Sequence, residues 1–382
     1  MKNIIFLFST PALEGDENKF SLLRLYELGF RLTIYDLTPV LRPEIESMIT
    51  KRRIHAEYIE YSKITNINQL EKNIREHCQD SFFFPMFDDY YRVRKVYSLF
   101  TKYKVRYGYV NNLACEVEIV ACNGNRPKVS ELNVIKISSV LYNRIIRKVI
   151  PNRKAEFIAF GSRRSEKNIV RNCLVDKKTK RLYLHTYDCQ RFIDATPYDN
   201  HNRKYCVFLD QYIPFHPDTV IDRGLRIDAE IYYREVCGML DCIGQKFDMD
   251  VIIAAHPRAD YENQHKMFPQ SYKIETGKTT ELIKNAALVI GHFSTSIGLV
   301  SLTKVPLYIF LPPSIFDINV FRMNGTAFSK LLGCGIIREP NDIQNMDLSY
   351  DGEKYQSFAE TYMTCNDRLD QLNIWDIVSR YL

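Results

Sequence analysis

Continuous apolar runs recur along the chain, and between them apolar positions repeat at helical spacing. Ile4–Phe8 is such a run, as a strand buried on both faces requires. Phe20, Leu23, Leu25 and Leu28 then predict a helix, and Gly29 stops it. Leu32–Tyr35 reads as the next strand, with Asp36 at its carboxyl end. Asn66–Cys78 reads as a helix and Phe82–Pro85 as a strand, with Asp88 and Asp89 just beyond it. Phe157–Gly161 and Leu182–His185 are later strands of the same half. Ala195–Arg203 is polar and turn-rich, a candidate hinge. After it the alternation restarts. Cys206–Asp210, Asp250–His256, Leu288–Ile290 and Leu307–Leu311 read as strands. Ile227–Ile243, Thr280–Asn285 and a segment starting at Ser296–Leu302 read as helices. Gln356–Leu382 has helical periodicity and carries Trp375.

Strands alternating with helices mean parallel α/β sheets. The pattern predicts two Rossmann-like domains facing a cleft. The first spans 1–195, a hinge 196–203, the second 204–355, and a C-terminal helix 356–382, whose packing back onto the first domain stays open. Ligands of such sheets bind beyond the carboxyl ends of the strands.

Composition narrows the class. The 382 residues are 46% apolar and 26% charged, which excludes wholesale disorder. A net charge of +6 fits a phosphate-bearing ligand or an anionic membrane surface, and is too small an excess to argue for nucleic acid. Ten cysteines without a Cys-x-x-Cys read as reduced, cytosolic thiols buried as small hydrophobes. Ile4–Phe8 is too short for a signal peptide, and acidic residues follow it closely. No stretch reaches the ~18–20 apolar residues of a membrane span. The expectation is a cytoplasmic protein, with a peripheral contact to the inner membrane face as an option. That contact would be the cationic amphipathic segment Ser138–Lys154. An apolar helix face used in a dimer looks like one used in a core, so no oligomeric state follows.

The candidate chemistry lies at predicted strand ends. Ala255-His256-Pro257-Arg258 and Gly291-His292-Phe293-Ser294-Thr295-Ser296 both follow apolar strands. Hydroxyls and free N–H groups at a helix start form an anion site, a neighbouring imidazole adds a donor, and Arg258 adds a bidentate contact. Ser294 and Ser296 equally serve as ordinary caps. Phe208-Leu209-Asp210-Gln211 and Pro214-Phe215-His216-Pro217-Asp218 open the second half, which makes Asp210 and Asp218 candidate catalytic carboxylates or turn caps. Asp88 and Asp89 form an adjacent pair suited to a general base or to capping a helix. Glu14, Asp16 and Glu17 are weaker alternatives. Gly-x-Gly-x-x-Gly, Walker A and Gly-x-Ser-x-Gly patterns are missing, which disfavours dinucleotide, P-loop and α/β-hydrolase readings. No metal seat is expected.

The order of these elements, with Lys278-Thr279-Thr280-Glu281-Leu282 and Lys304-Val305-Pro306, resembles bacterial surface-polysaccharide glycosyltransferases of the GT-B type. The His-Pro and Ser-Thr-Ser elements are similar to those of polysialyltransferases and capsule Kdo transferases. The likeness covers about half the chain, mainly the second domain. It implies a nucleotide-sugar donor as cosubstrate, a CMP-linked acidic sugar being favoured, and no other cofactor. It also implies a glycan or lipid-linked glycan acceptor bound by the first domain. His256, Thr280, Glu281 and Ser294–Ser296 would hold the donor. Polysialyltransferases carry an acidic-acidic-Gly motif for the base; the nearest run here, Glu14-Gly15-Asp16-Glu17, has a different order. UDP- or GDP-hexose transfer, CDP-polyol phosphate transfer and a non-catalytic nucleotide-binding scaffold are the competing expectations.

Overall fold

A computed structural model describes residues 2–46, 52–87, 91–111, 152–168, 174–201, 203–257, 259, 261, 267–365 and 372–382. All but the last three residues of Ser138–Lys154 lie outside this set, as do Asp88, Asp89 and Arg258. The described chain forms two compact units. One contains the residues up to Asn111, those from Asn152 to Tyr187, and Thr364–Leu382; the other is Asp188–Met363.

The described residues of the first unit hold seven parallel strands: β1 (Asn3–Phe8), β2 (Arg31–Asp36), β3 (Ile59–Lys63), β4 (Ser81–Pro85), β5 (Gly108–Asn111), β6 (Phe157–Phe160) and β7 (Lys180–Tyr183). Four pair in the order β3-β2-β1-β4 and three in the order β5-β6-β7. A parallel bridge between Phe83 and Tyr107 links the two sets. The continuous apolar run of β1 is explained by its two buried faces. Ile5 and Leu7 join Leu70, Ile74, Tyr97 and Phe100 on one side. Ile4, Phe6 and Phe8 join Leu22, Leu25 and Trp375 on the other. Trp375 thus ties the end of the chain to the first unit. Its indole N–H donates to the Phe20 carbonyl at 2.6 Å, and its ring meets Phe6 and Phe84 edge-on at 5.7 and 5.6 Å.

The described residues of the second unit form one sheet of six parallel strands: β8 (Tyr205–Leu209), β9 (Asp250–Ala255), β10 (Lys273–Thr276), β11 (Leu288–Gly291), β12 (Leu307–Phe310) and β13 (Gly335–Ile337). Their order is β10-β9-β8-β11-β12-β13. Counted within the unit this is 3-2-1-4-5-6, the doubly wound Rossmann order, whose direction reverses between β8 and β11. The helix Ala229–Phe247 packs Tyr232, Tyr233, Val236, Met239, Leu240 and Ile243 into the core, a single stripe at helical spacing. Asp228 caps its first turn by accepting from Ile231 N–H at 3.0 Å.

Some expectations change. The helix read over Phe20–Leu28 is found as Leu22–Glu27, and a further short helix, Asp16–Lys19, precedes it, separated by Ser21 at φ +51°. Strands β3, β10 and β13 carry no continuous apolar run because they lie at sheet edges, half open to water. The chain passes from one unit to the other at Tyr187 and Asp188; Tyr198, in the segment read as a hinge, donates its N–H to Glu281 within the second unit. No helix among the described residues is long and apolar enough to cross a membrane.

Trp375 is the sole tryptophan, so its fluorescence reports on the first unit. Phe84→Ala empties the space against Trp375 and Phe6 and is expected to cost about 3–5 kcal/mol. A urea titration followed at Trp375 should show a lower midpoint; an unchanged midpoint would contradict this packing.

Candidate functional site

Asp210 directly follows the central strand β8 and is almost wholly buried. Its two carboxylate oxygens are both engaged. Tyr212 N–H donates to Oδ1 at 3.1 Å, and the Tyr261 hydroxyl donates to Oδ2 at 2.5 Å. Tyr261 in turn accepts from the N–H of His256 at 3.1 Å. One carboxylate therefore fastens the exits of β8 and β9. Burial pushes its pKa up to about 6, against the opposing pull of these hydrogen bonds. The turn it holds is tight: Tyr212 sits at φ +55°, a left-handed conformation uncommon for a tyrosine.

His256 and His216 meet edge to face with ring centroids 4.9 Å apart, and Tyr212 stacks beside His256 at 6.2 Å. Asp218 N–H donates to His216 Nδ1 at 3.1 Å. In its neutral form His216 therefore carries its proton on Nε2. The Asp218 carboxylate is exposed and lies 3.7 Å from the same Nδ1. Asp218 also opens a π-helical turn, Asp218–Asp222.

Across the reversal of strand order, Gly291 ends β11. A Cβ there would meet Ile297 at 3.2 Å, so glycine lets the following helix Thr295–Leu302 lie close to the sheet. That helix is of the 3₁₀ type. Ser294 caps it by accepting from Ser296 N–H at 3.2 Å. The N–H groups of Ser294 and Thr295 have no partner among the described residues. Phe293 N–H donates to Gln211 Oε1 at 2.7 Å, a direct tie between the exits of β8 and β11.

His292 departs from its expected role. It is fully buried, and both ring nitrogens are used inside the fold. Nδ1–H donates to the Phe310 carbonyl at 2.5 Å, and Nε2 accepts from the Tyr232 hydroxyl at 2.7 Å. Burial lowers its pKa to about 4, so it stays neutral. An imidazole held this way has no nitrogen left for a phosphate.

The remaining candidates are placed as follows. Pro257 is exposed after His256. Thr280 and Glu281 open the helix Thr279–Asn285, which packs against the Thr295–Leu302 helix and against β8 and β9. Thr280 Oγ1 and one Glu281 carboxylate oxygen are buried without a partner. Asp88, Asp89 and Arg258 lie outside the described residues. Asp210, His256, Ser294 and Ser296 come to the exits of adjacent strands β9, β8 and β11. His216, Gln211, Tyr232 and Tyr261 were not singled out from sequence. For Gln211 and His216 the signal was their place in the β8 exit motif; for the two tyrosines there was none.

No family model matches this sequence, and no curated protein does. Solved structures do match. Wall teichoic acid polymerase TagF superposes with TM-score 0.56 at 13% identity, covering 100% of this chain and 89% of that one. A histidine variant of TagF with CDPG gives 0.53 at 14% identity, covering 100% and 88%. The glycotransferase of kitacinnamycin gives 0.52 at 12%, covering 100% and 99%, and S. aureus MnaA with UDP 0.51 at 12%, covering 100% and 97%. The chain has the GT-B fold. Within that fold, the second Rossmann-like domain of this chain is the one whose strand exits gather His216, His256, Gln211 and Ser294.

Two buried groups here act on stability in opposite senses. The folded protein holds a proton on Asp210 that the unfolded chain has released, so from about pH 4 to 6 stability falls as pH rises. At His292 the unfolded chain takes up a proton that the fold refuses, so from about pH 4 to 6.5 stability rises with pH. The two contributions therefore oppose each other over the shared range. Asp210→Asn should leave stability climbing steeply between pH 4.5 and 6.5, and His292→Gln should leave it falling. Urea midpoints followed by far-UV circular dichroism read both slopes. Slopes equal to the unsubstituted protein's would remove the assignment.

Proposed function

We propose that this protein is a glycosyltransferase that moves a sugar from a nucleotide-activated donor to a hydroxyl of a bacterial surface glycan. The observation that carries the proposal is that the exits of β8, β9 and β11, at the reversal of strand order, bring together Gln211, His216, His256 and the N–H groups of Ser294 and Thr295. The favoured donor is a CMP-linked acidic sugar. This rests on the likeness of the His256-Pro257 and Ser294-Thr295-Ser296 elements to those of polysialyltransferases and capsule Kdo transferases.

In the proposed reaction the acceptor oxygen attacks the anomeric carbon, and the bond from that carbon to the phosphate oxygen breaks. The nucleotide leaves as a phosphate anion. His216 Nε2–H, His256 and the N–H groups of Ser294 and Thr295 meet its charge, and no metal is invoked. The acceptor proton passes to a carboxylate. Asp218, exposed beside His216, is the assigned base, with Asp88 and Asp89 as its competitors. Asp210, buried and fully bonded, is assigned to positioning His256 and Tyr212. A glycan or lipid-linked glycan is the proposed acceptor.

A second reading is transfer of a polyol phosphate from a CDP-polyol. The TagF structure with CDPG favours it, because that protein shares this fold. Both reactions release CMP, so donor turnover separates them.

Thermal unfolding is measured with CMP, CDP, UDP and GDP. A nucleotide at ~100 times its Kd should stabilise by ~2.7 kcal/mol, and His256→Ala should abolish the shift. CMP release is then followed from CMP-N-acetylneuraminic acid and from CDP-glycerol. Release from the sugar donor supports the favoured reading, and release from CDP-glycerol alone the second. A shift with UDP or GDP alone moves the donor to ordinary hexoses. No shift with any nucleotide would overturn the nucleotide-donor reading, and a shift without turnover of any donor would leave a nucleotide-binding scaffold.

A further inference from the structure

We propose that Gln211 presents its side-chain amide N–H groups to the donor phosphate, and so reads the phosphate rather than the nucleoside. The proposal rests on the nucleotide-binding reading above. Its own basis is the fixed orientation of the carboxamide. Phe293 N–H is a donor and lies 2.7 Å from Oε1, so the oxygen of the carboxamide is the bound end. The Nε2 end has no partner among the described residues and is not among the buried unsatisfied atoms. It is an oriented, water-accessible donor. Its position is equally defined. Leu209 pairs with Gly291 in the β8–β11 ladder, so Gln211 and Phe293 each lie two residues past a matched pair. They span the reversal of strand order, beside the unpartnered N–H groups of Ser294 and Thr295. The turn at Tyr212, closed on Asp210, prevents the backbone of Gln211 from drifting.

A glutamate at this position tests the orientation directly. It still accepts from Phe293 N–H, so the tie between the loops survives, but the outward group becomes an anion. Gln211→Glu and Gln211→Met are compared with the unsubstituted protein by calorimetric titration with CMP and cytidine, or with UDP and uridine where UDP is the nucleotide that stabilises. The expected result for Gln211→Glu is a ten- to hundredfold loss of affinity for the nucleotide with nucleoside affinity unchanged. Gln211→Met should lose less for the nucleotide and likewise spare the nucleoside. Equal loss for nucleotide and nucleoside, or no loss, overturns the proposal. Should the Gln211→Glu protein fail to fold, Gln211→Met decides on the same criterion. Binding by the unsubstituted protein separates the two failures: without it the functional reading falls, and with it only the role of Gln211 is at stake.

Discussion

The second domain is organised around a buried carboxylate. Asp210 sits at the end of the central strand and accepts from Tyr261 and Tyr212, each belonging to a different loop. Burying a carboxylate is costly, and hydrogen bonds recover only part of that cost, as its raised pKa shows. The fold accepts the expense at one point and gains position at three. The β8 exit turns sharply at Tyr212. The β9 exit is fixed through Tyr261 to the His256 backbone. Gln211, next in sequence, is delivered to Phe293 on the β11 exit. That anchor adds to the local restraints on the loops that carry His216 and His256, such as Thr219 N–H on the His216 carbonyl and Ala259 N–H on the His256 carbonyl.

His292 does the matching work on the other side of the strand reversal. Its imidazole joins the β11 exit to the Phe310 carbonyl of β12 and to Tyr232 of the long helix. A neutral histidine suits this task because it offers one donor and one acceptor on a rigid ring. A buried charge would have needed a partner. The site is therefore built on two ionisable residues kept from solvent, one holding a proton more readily than usual and the other less.

The fold was legible in the sequence because its central strands are buried on both faces. β1, β4, β8, β11 and β12 are largely buried apolar runs, and their order with the intervening helices gives the α/β class directly. The edge strands β3, β10 and β13 were not, since half-exposed strands mix Glu, Lys and Gly with apolar residues. The site was legible in outline: the exits carrying Asp210, His256 and Ser294 are adjacent in the sheet. What sequence did not supply was the division of labour within each motif. Tyr232 and Tyr261 look like core aromatics, and their hydroxyls gain meaning only from what faces them.

That division follows from the geometry of a strand. Successive residues leaving a strand point to opposite sides, so a chemically rich motif at an exit is split into an inward and an outward member. At β8 the inward member is Asp210 and the outward one Gln211. At β11 the buried member is His292, and the next residues, Phe293 and Ser294, are half-exposed. A reading from residue chemistry favours the ionisable member of each motif, here Asp210 and His292, and those are the two that the packing consumes. The less reactive neighbours, an amide, a hydroxyl and backbone N–H groups, are left open. For the proposed phosphate site this is a workable arrangement. Fixed dipoles of neutral groups, aimed by buried ionisable anchors, stabilise an incoming charge with little reorganisation.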